Sequence, residues 1–348
     1  MKAAVCRAFN APLSIEDLDL AGPGLGQVQV RIAACAICHS DISYAEGLWG
    51  STLPAVLGHE AAGIVTEIGA GVRGISAGDR VLVTLIRACG GCPACRTGAP
   101  TNCTHAWDGD TPLRDADGPV TQGMSTGAFA EAVTVDQSQI VRLPDGLDMA
   151  SASLLSCGVL TGVGAVTNTA KLRPGETCAV IGAGGVGLNT IQGAAIAGAS
   201  KIFAVDIADE RLDNARRFGA THGLRGDDPD HPAQLRALTN GLGVDYAFVT
   251  TGAVQVYATA SALLAPGGAV VLVGMPASDL EVPFAPTLLA SMNQRLLGSR
   301  MGQSVPSRDV PWLIDHYTAG RLQLDTLITA RYPLSAINEA IEHTLSGH

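Results

Sequence analysis

The chain has 348 residues, of which 47% are hydrophobic and 42 are glycine, and a formal net charge of −10. This length and apolar share suit two domains with sizeable cores, and the acidic balance argues against a nucleic-acid or anionic-membrane partner, since either needs a basic face. No uninterrupted run of about 18 apolar residues offers a bilayer span, and MKAAVCRAFNAPLS at the N-terminus lacks a basic leader with an apolar core and cleavage site, so the expectation is a cytoplasmic protein with reduced cysteines.

From Met1 to about Ala150, short β-branched runs (Gln27–Ile32, Gly63–Ile68, Asp79–Val83 and Phe129–Val135) alternate with Gly/Pro turns. The pattern predicts a mostly antiparallel β domain. Inside it, RACGGCPACRTGAPTNC carries Cys89, Cys92, Cys95 and Cys103 with spacing C-x2-C-x2-C-x7-C. Four thiolates this close can wrap one Zn²⁺ tetrahedrally and leave no open position, so the ion would hold the lobe at 87–105 and do no chemistry. A disulfide cluster or redox switch is the other reading, and it needs an oxidising compartment. The polar, acidic stretch Trp107–Gly123 is expected to be a mobile surface loop.

The texture changes from about Val159. Thr177–Ile181, Lys201–Asp206, Val244–Thr250 and Ala269–Val273 read as apolar strands. Helices are predicted from the glycine-rich GAGGVG to Ala199 and over Glu210–Gly219. This alternation implies a parallel sheet with helices on both faces. It ends near Arg300, after which Arg308–Ala319 and Leu334–Leu345 read as amphipathic helices.

Gly182, Gly184, Gly185 and Gly187 form G-x-G-G-x-G between a strand and a helix. Such glycines allow a tight turn, approach of backbone amides to a pyrophosphate, and close helix–strand packing. Asp206 ends the next strand, where a carboxylate accepts hydrogen bonds from an adenosine ribose and repels a 2′-phosphate, which favours NAD over NADP. The plainer reading of Asp206 is a helix N-cap. Arg211 could reach the ribose or welcome a phosphate.

Cys38, His59 and Cys157 are far apart in sequence, and each alone reads as a buried thiol or core histidine. Asp41 and Glu60 give the first two acidic companions. Taken in order, GHEAAG, the four-cysteine lobe, SCGVLTG and GAGGVG make the chain resemble the zinc-dependent medium-chain alcohol dehydrogenase family, from the first strand to near the C-terminus.

The resemblance implies an α/β protein: a β-rich GroES-like catalytic domain at 1–158 and 301–348, and a doubly wound parallel-sheet (Rossmann) domain at 159–300. It implies two zinc ions per chain and NAD. Cys38, His59 and Cys157 would hold the catalytic zinc with an open fourth position, and Glu60 and Asp41 would stand behind them. Ser40 would take the alcohol proton. Thr161 and Val186 would press on the nicotinamide, and His39 would contact the pyrophosphate. Ser43 stands where the family has a proton-relay histidine. By position, Ser40, Trp49, Leu85, Phe129 and Met275 would line the substrate pocket, with Trp107 nearby.

This predicts hydride transfer between NAD and a small or medium apolar alcohol, with the aldehyde or ketone in reverse. Cys157 at the third ligand position weighs against the polyol branch. Because SCGVLTGVGAVTNTAKL resembles the branch that oxidises thiol adducts of formaldehyde, that activity is an alternative, although no clear basic anchor for such an adduct stands out. A zinc-stapled nucleotide-binding protein without turnover is a rival of another class. Cys6, Cys35 and Cys178 read as buried thiols. Relatives join as homodimers or homotetramers through nucleotide-domain sheet edges, here Gln294–Ser299.

Overall fold

The computed structural model describes residues 1–347. The chain divides into two compact units: Met1–Cys157 with Val305–Asp315 and Leu324–His348, and Gly158–Ser304 with His316–Gln323. The sequence reading gave all of 301–348 to the first domain. Gly158, residues 301–304 and residues 316–323 lie instead with the second unit, the last of these for a visible reason. Gln323 N donates to Gln192 Oε1 (2.7 Å) and Gln192 Nε2 donates back to Gln323 O (3.1 Å). The backbone at Gln323 is thereby held on helix Gly185–Ile196.

The first unit holds two sheets. One is antiparallel, in the order Ala132–Asp136, Gln27–Ala36, Glu60–Ile68, Arg80–Val83, Ile140–Arg142. The inward-facing valines of these strands, Val28, Val30, Val65, Val81, Val83 and Val133, form one core cluster, as alternation on a half-buried sheet requires. The other sheet runs Ser14–Asp17, Lys2–Cys6, Ala55–Val56, Gly118–Gln122, Leu113–Asp115, Asp19–Leu20.

Its fourth and fifth strands correct the expectation of a loop over Trp107–Gly123. The stretch forms a hairpin whose turn is closed by Asp115 Oδ1, which accepts from Asp117 N and Gly118 N, both at 2.9 Å. Each strand anchors itself by one fully buried residue, Leu113 and Val120. So little apolar content left the alternation unreadable.

The second unit is built on a six-stranded parallel sheet in the order His222–Arg225, Lys201–Asp206, Thr177–Ile181, Val244–Val249, Leu264–Leu272, Arg295–Gly298. The order reverses direction beside Thr177–Ile181, which is the doubly wound topology. Near-continuous apolar strands such as Ile202–Val205 are buried on both faces, as a helix-covered parallel sheet demands. Among the described residues, no single helix is long and apolar enough to cross a membrane.

Candidate active site

Cys38 is the N-cap of helix His39–Ala45, and Asp41, at the third helical position, closes a capping box with it. Asp41 does more than cap. Its Oδ2 accepts from Cys38 N (3.1 Å), while Oδ1 accepts from Gly58 N (2.8 Å) and lies 3.0 Å from His59 Nδ1. One buried carboxylate, 1% exposed, therefore sets the positions of two candidate ligands. The third is brought in from the other side: Thr84 Oγ1 donates to Ser156 O (2.7 Å) and Ser156 Oγ donates to Ala61 O (3.1 Å), fixing the residue before Cys157 against the strand that begins with Glu60.

The result is a cluster in which Cys38, His59, Glu60 and Cys157 each offer a donor atom, all within 4.8 Å of one another. Glu60, expected behind the ligands, also brings a carboxylate oxygen within that distance. His59 Nε2 is buried with no hydrogen-bond partner, while Nδ1 faces Asp41. An imidazole held in that way presents a lone pair inward, and two thiols and a carboxylate are what surround it. The Cys157 thiol beside it, and then His59, hold the Cys38 pKa well below the usual thiol value against the opposing effect of burial. That favours the thiolate, the form that binds metal. The donor set fits zinc.

The four-cysteine lobe is equally compact, with its sulfurs within 4.8 Å of one another. Cys92 Sγ and Cys103 Sγ are 4.0 Å apart, close to the ~3.8 Å edge of a tetrahedron with Zn–S bonds of about 2.3 Å. Backbone amides point at the sulfurs: Cys92 N at Cys89 (3.3 Å), Cys95 N at Cys92 (3.5 Å), and Cys89 N and His105 N at Cys103 (both 3.4 Å). Amides from Cys95 and Thr104 lower the Cys92 pKa to about 5. All nine cysteines are unbridged thiols. Cys6 and Cys178 are buried and Cys35 is half-buried.

In the second unit, Gly182 has φ +96°, and a Cβ on Gly187 would lie 1.9 Å from Gly182 O, so both are required by the turn itself. Gly184 and Gly185 are different: a Cβ on either would meet nothing within 4 Å. They are exposed at the start of helix Gly185–Ile196, with no side chain capping its first amides. Free amides, a helix N-terminus and open space suit a pyrophosphate. Asp206, 7% exposed, accepts from Ala183 N (2.7 Å) within the glycine turn and from Ala208 N (3.1 Å). The N-cap reading does not hold, because Ala208 is the N-cap of helix Asp209–Arg217 and no side chain caps it; the Asp206 carboxylate braces the glycine turn and the residue before that helix instead. These residues fit a dinucleotide.

Among the other sites named from sequence, Ser40 is half-buried with its backbone N–H directed at Cys38 Sγ (3.4 Å), and His39 is exposed beside it. Thr161 is buried, with its hydroxyl 3.6 Å from Met301 Sδ. Val186 and Arg211 are half-buried. Trp49 packs edge-on against Tyr44, with ring centroids 5.4 Å apart, and Leu85 is half-buried. Phe129 lies in the core, 2% exposed, its ring so close over Gly58 that a Cβ there would sit 2.6 Å from it. Met275 and Trp107 are 60% and 51% exposed.

Residues 24–145 match the profile described as the alcohol dehydrogenase GroES-like domain, and residues 185–319 match that of the zinc-binding dehydrogenases. This protein belongs to the zinc-dependent medium-chain alcohol dehydrogenase family. It is 34% identical to the NDMA-dependent alcohol dehydrogenase of Amycolatopsis methanolica, over 99% of this chain and 96% of that one. The alcohol dehydrogenase zinc-binding domain protein from Burkholderia ambifaria superposes with a TM-score of 0.94 at 36% identity, covering 99% and 96% of the two chains. Benzyl alcohol dehydrogenase from Acinetobacter calcoaceticus does so with a TM-score of 0.93 at 30% identity and the same coverage. The protein is thus a zinc-binding alcohol oxidoreductase with a GroES-like and a Rossmann domain.

Proposed function

We propose that this dehydrogenase oxidises small and medium apolar alcohols, aromatic primary alcohols among them, with NAD as hydride acceptor, and reduces the matching carbonyls. The observation that carries this reading is the unpartnered, buried His59 Nε2, set among the donors of Cys38, Cys157 and Glu60. The name of the Acinetobacter relative supports the aromatic members of the class, and the open glycine turn with Asp206 supports NAD.

Zinc held by Cys38, His59 and Cys157 supplies a Lewis acid for the alcohol oxygen, and NAD held at the glycine turn supplies the hydride acceptor. Everything else falls to the chain. Asp41 keeps the His59 ring oriented with Nδ1–H outward. Two thiolates temper the charge of the site so that product can leave. The Ser40 hydroxyl, on the first turn of the helix that Cys38 caps, would accept the proton that the alcohol oxygen gives up while passing its own on to water. Gly184 and Gly185 amides would hold the pyrophosphate, Asp206 the ribose, and Val186 with Thr161 would orient the nicotinamide. Glu60, whose carboxylate belongs to the same cluster, would add negative charge beside the ligands.

We further propose a cytoplasmic homodimer or homotetramer joined through strand Arg295–Gly298, whose outer edge pairs with no strand among the described residues. Metal analysis and a panel of primary, secondary and aromatic alcohols test the main reading. Two zinc ions per chain with NADH absorbance appearing at ~340 nm, fastest for apolar alcohols, is the expected result. One zinc and no turnover, with NAD or with NDMA as acceptor, overturns it. Turnover confined to a thiol adduct of formaldehyde replaces the substrate class, and light scattering reads the assembly.

A further inference from the structure

We infer that Asp209 and Asp227, acting through Arg225, set which dinucleotide the second unit accepts; the inference rests on the NAD reading above. Asp206 and Arg225 are register partners at the ends of adjacent parallel strands. Gly226 N donates to Asp206 O at 2.9 Å, locking the two strand ends together. Partners in a parallel pair leave the sheet on the same face, at the carboxyl edge where nucleotides bind such sheets. A ribose 2′-hydroxyl is read there by a carboxylate and a 2′-phosphate by an arginine. The topology therefore puts both kinds of reader side by side.

The arginine is occupied. Arg225 Nε and Nη2 donate to the two oxygens of Asp227 at 2.9 and 2.7 Å, a bidentate fork, and Nη1 donates to Asp209 Oδ1 at 3.1 Å. Asp209 opens the helix that follows Asp206, so the triad closes over the loop next to the ribose-reading carboxylate. Asp206, Asp209 and Asp227 outnumber the cations, even when Arg211 is counted. A 2′-phosphate would bring nearly two more negative charges and would have to displace a carboxylate to engage Arg225. NAD brings neither penalty. Planar guanidinium forks suit phosphate as well as carboxylate, so removing the guards turns the same arginine into a phosphate ligand.

The zinc-loaded protein is titrated with NADH and NADPH by fluorescence, and with adenosine 2′,5′-bisphosphate, which has no nicotinamide, by calorimetry. Wild type is expected to prefer NADH. Asp209→Asn combined with Asp227→Asn raises affinity for NADPH relative to NADH by about tenfold or more, and affinity for the bisphosphate rises in parallel. Adding Arg225→Met to that double variant abolishes the gain. An unchanged ratio in the double variant, or a gain that survives Arg225→Met, overturns the inference while leaving NAD binding intact. A wild-type protein that binds NADPH as tightly as NADH overturns it too, and one that binds neither overturns the NAD reading beneath it.

Discussion

The Asp41 carboxylate lies 3.0 Å from His59 Nδ1, and both side chains are essentially sealed from solvent. The same carboxylate receives the amides of Cys38 and Gly58, so it couples the ligand strand to the ligand-bearing helix. Asp41→Asn keeps the size but replaces an acceptor oxygen by a donor. Zinc affinity, read by competition with a chromogenic chelator, should fall by about 10- to 100-fold. Asp41→Ala strands three buried N–H groups and should cost about 3 kcal/mol or more in denaturant melts. Wild-type zinc affinity in Asp41→Asn would remove Asp41 from the site.

The glycines of the cofactor turn separate into two kinds, and alanine substitution should show it. Gly187→Ala places a methyl on the Gly182 carbonyl, so it should lower both thermal stability and NADH binding. Gly184→Ala meets no protein atom. Its melting temperature should stay within a few degrees of wild type, while NADH affinity drops about tenfold or more where the methyl obstructs the phosphate. Equal loss of stability in both variants would mean that the open space at Gly184 serves the fold.

The two metal sites should be separable. Cys95→Ser removes one sulfur from the lobe and leaves Cys38, His59 and Cys157 untouched. Zinc content is expected to fall from two ions per chain to one, with a lower melting temperature, because metal binding energy at a closed structural site is folding energy. Cys157→Ser should lose the other ion and abolish turnover with little change in melting. If either substitution empties both sites, the sites are not independent.

Acid sensitivity can be traced to Asp148. Its Oδ2 accepts from Ser151 N (3.0 Å), capping helix Met149–Ser153, and from Arg331 (3.1 Å). The Ser151 amide first, and then Arg331, hold the Asp148 pKa below the usual carboxylate value. A depressed folded-state pKa stabilises the fold above the unfolded value, about 3.9, and that contribution is lost as pH falls through the folded one. Asp148→Ala should cost about 1 kcal/mol near neutral pH. Asp148→Asn should keep much of the cap and flatten the stability profile below about pH 4. A profile with wild-type slope would acquit Asp148.

Legibility in the sequence followed the range of the interactions. Thr177–Ile181 and Lys201–Asp206 coincide with their predicted bounds, because a buried parallel strand is a continuous apolar run ended by glycine or aspartate. Residue types alone mark the cysteine lobe and the glycine turn. Cys38, His59 and Cys157 carry no mutual spacing; they meet through Asp41 and through the Ser156–Ala61 bond, both long in sequence, and only family resemblance linked them. The Leu113–Gln122 hairpin and the short strand His222–Arg225 went unseen, since each of their strands has a single buried apolar residue, Leu113, Val120 and Leu224. Missing that strand also hid Arg225, the guanidinium beside Asp206.

The helix that Cys38 caps carries one further departure. Ser40 and Ser43 are three residues apart on it, so they share a face, and the sequence resemblance implies that Ser43 stands at the family's relay-histidine position. A serine cannot hold a proton near neutrality, whereas a histidine with a pKa near 6.5 can. Ser43→His should therefore take the proton from the Ser40 hydroxyl and pass it outward. Alcohol oxidation between about pH 6 and 8 should rise by roughly tenfold, less than a base acting directly on substrate provides. The gain should titrate with the new imidazole. Rates that match wild type across that range would show that protons leave by another path, and a gain of equal size at about pH 5, where the imidazole is already protonated and can accept nothing, would assign the effect to packing.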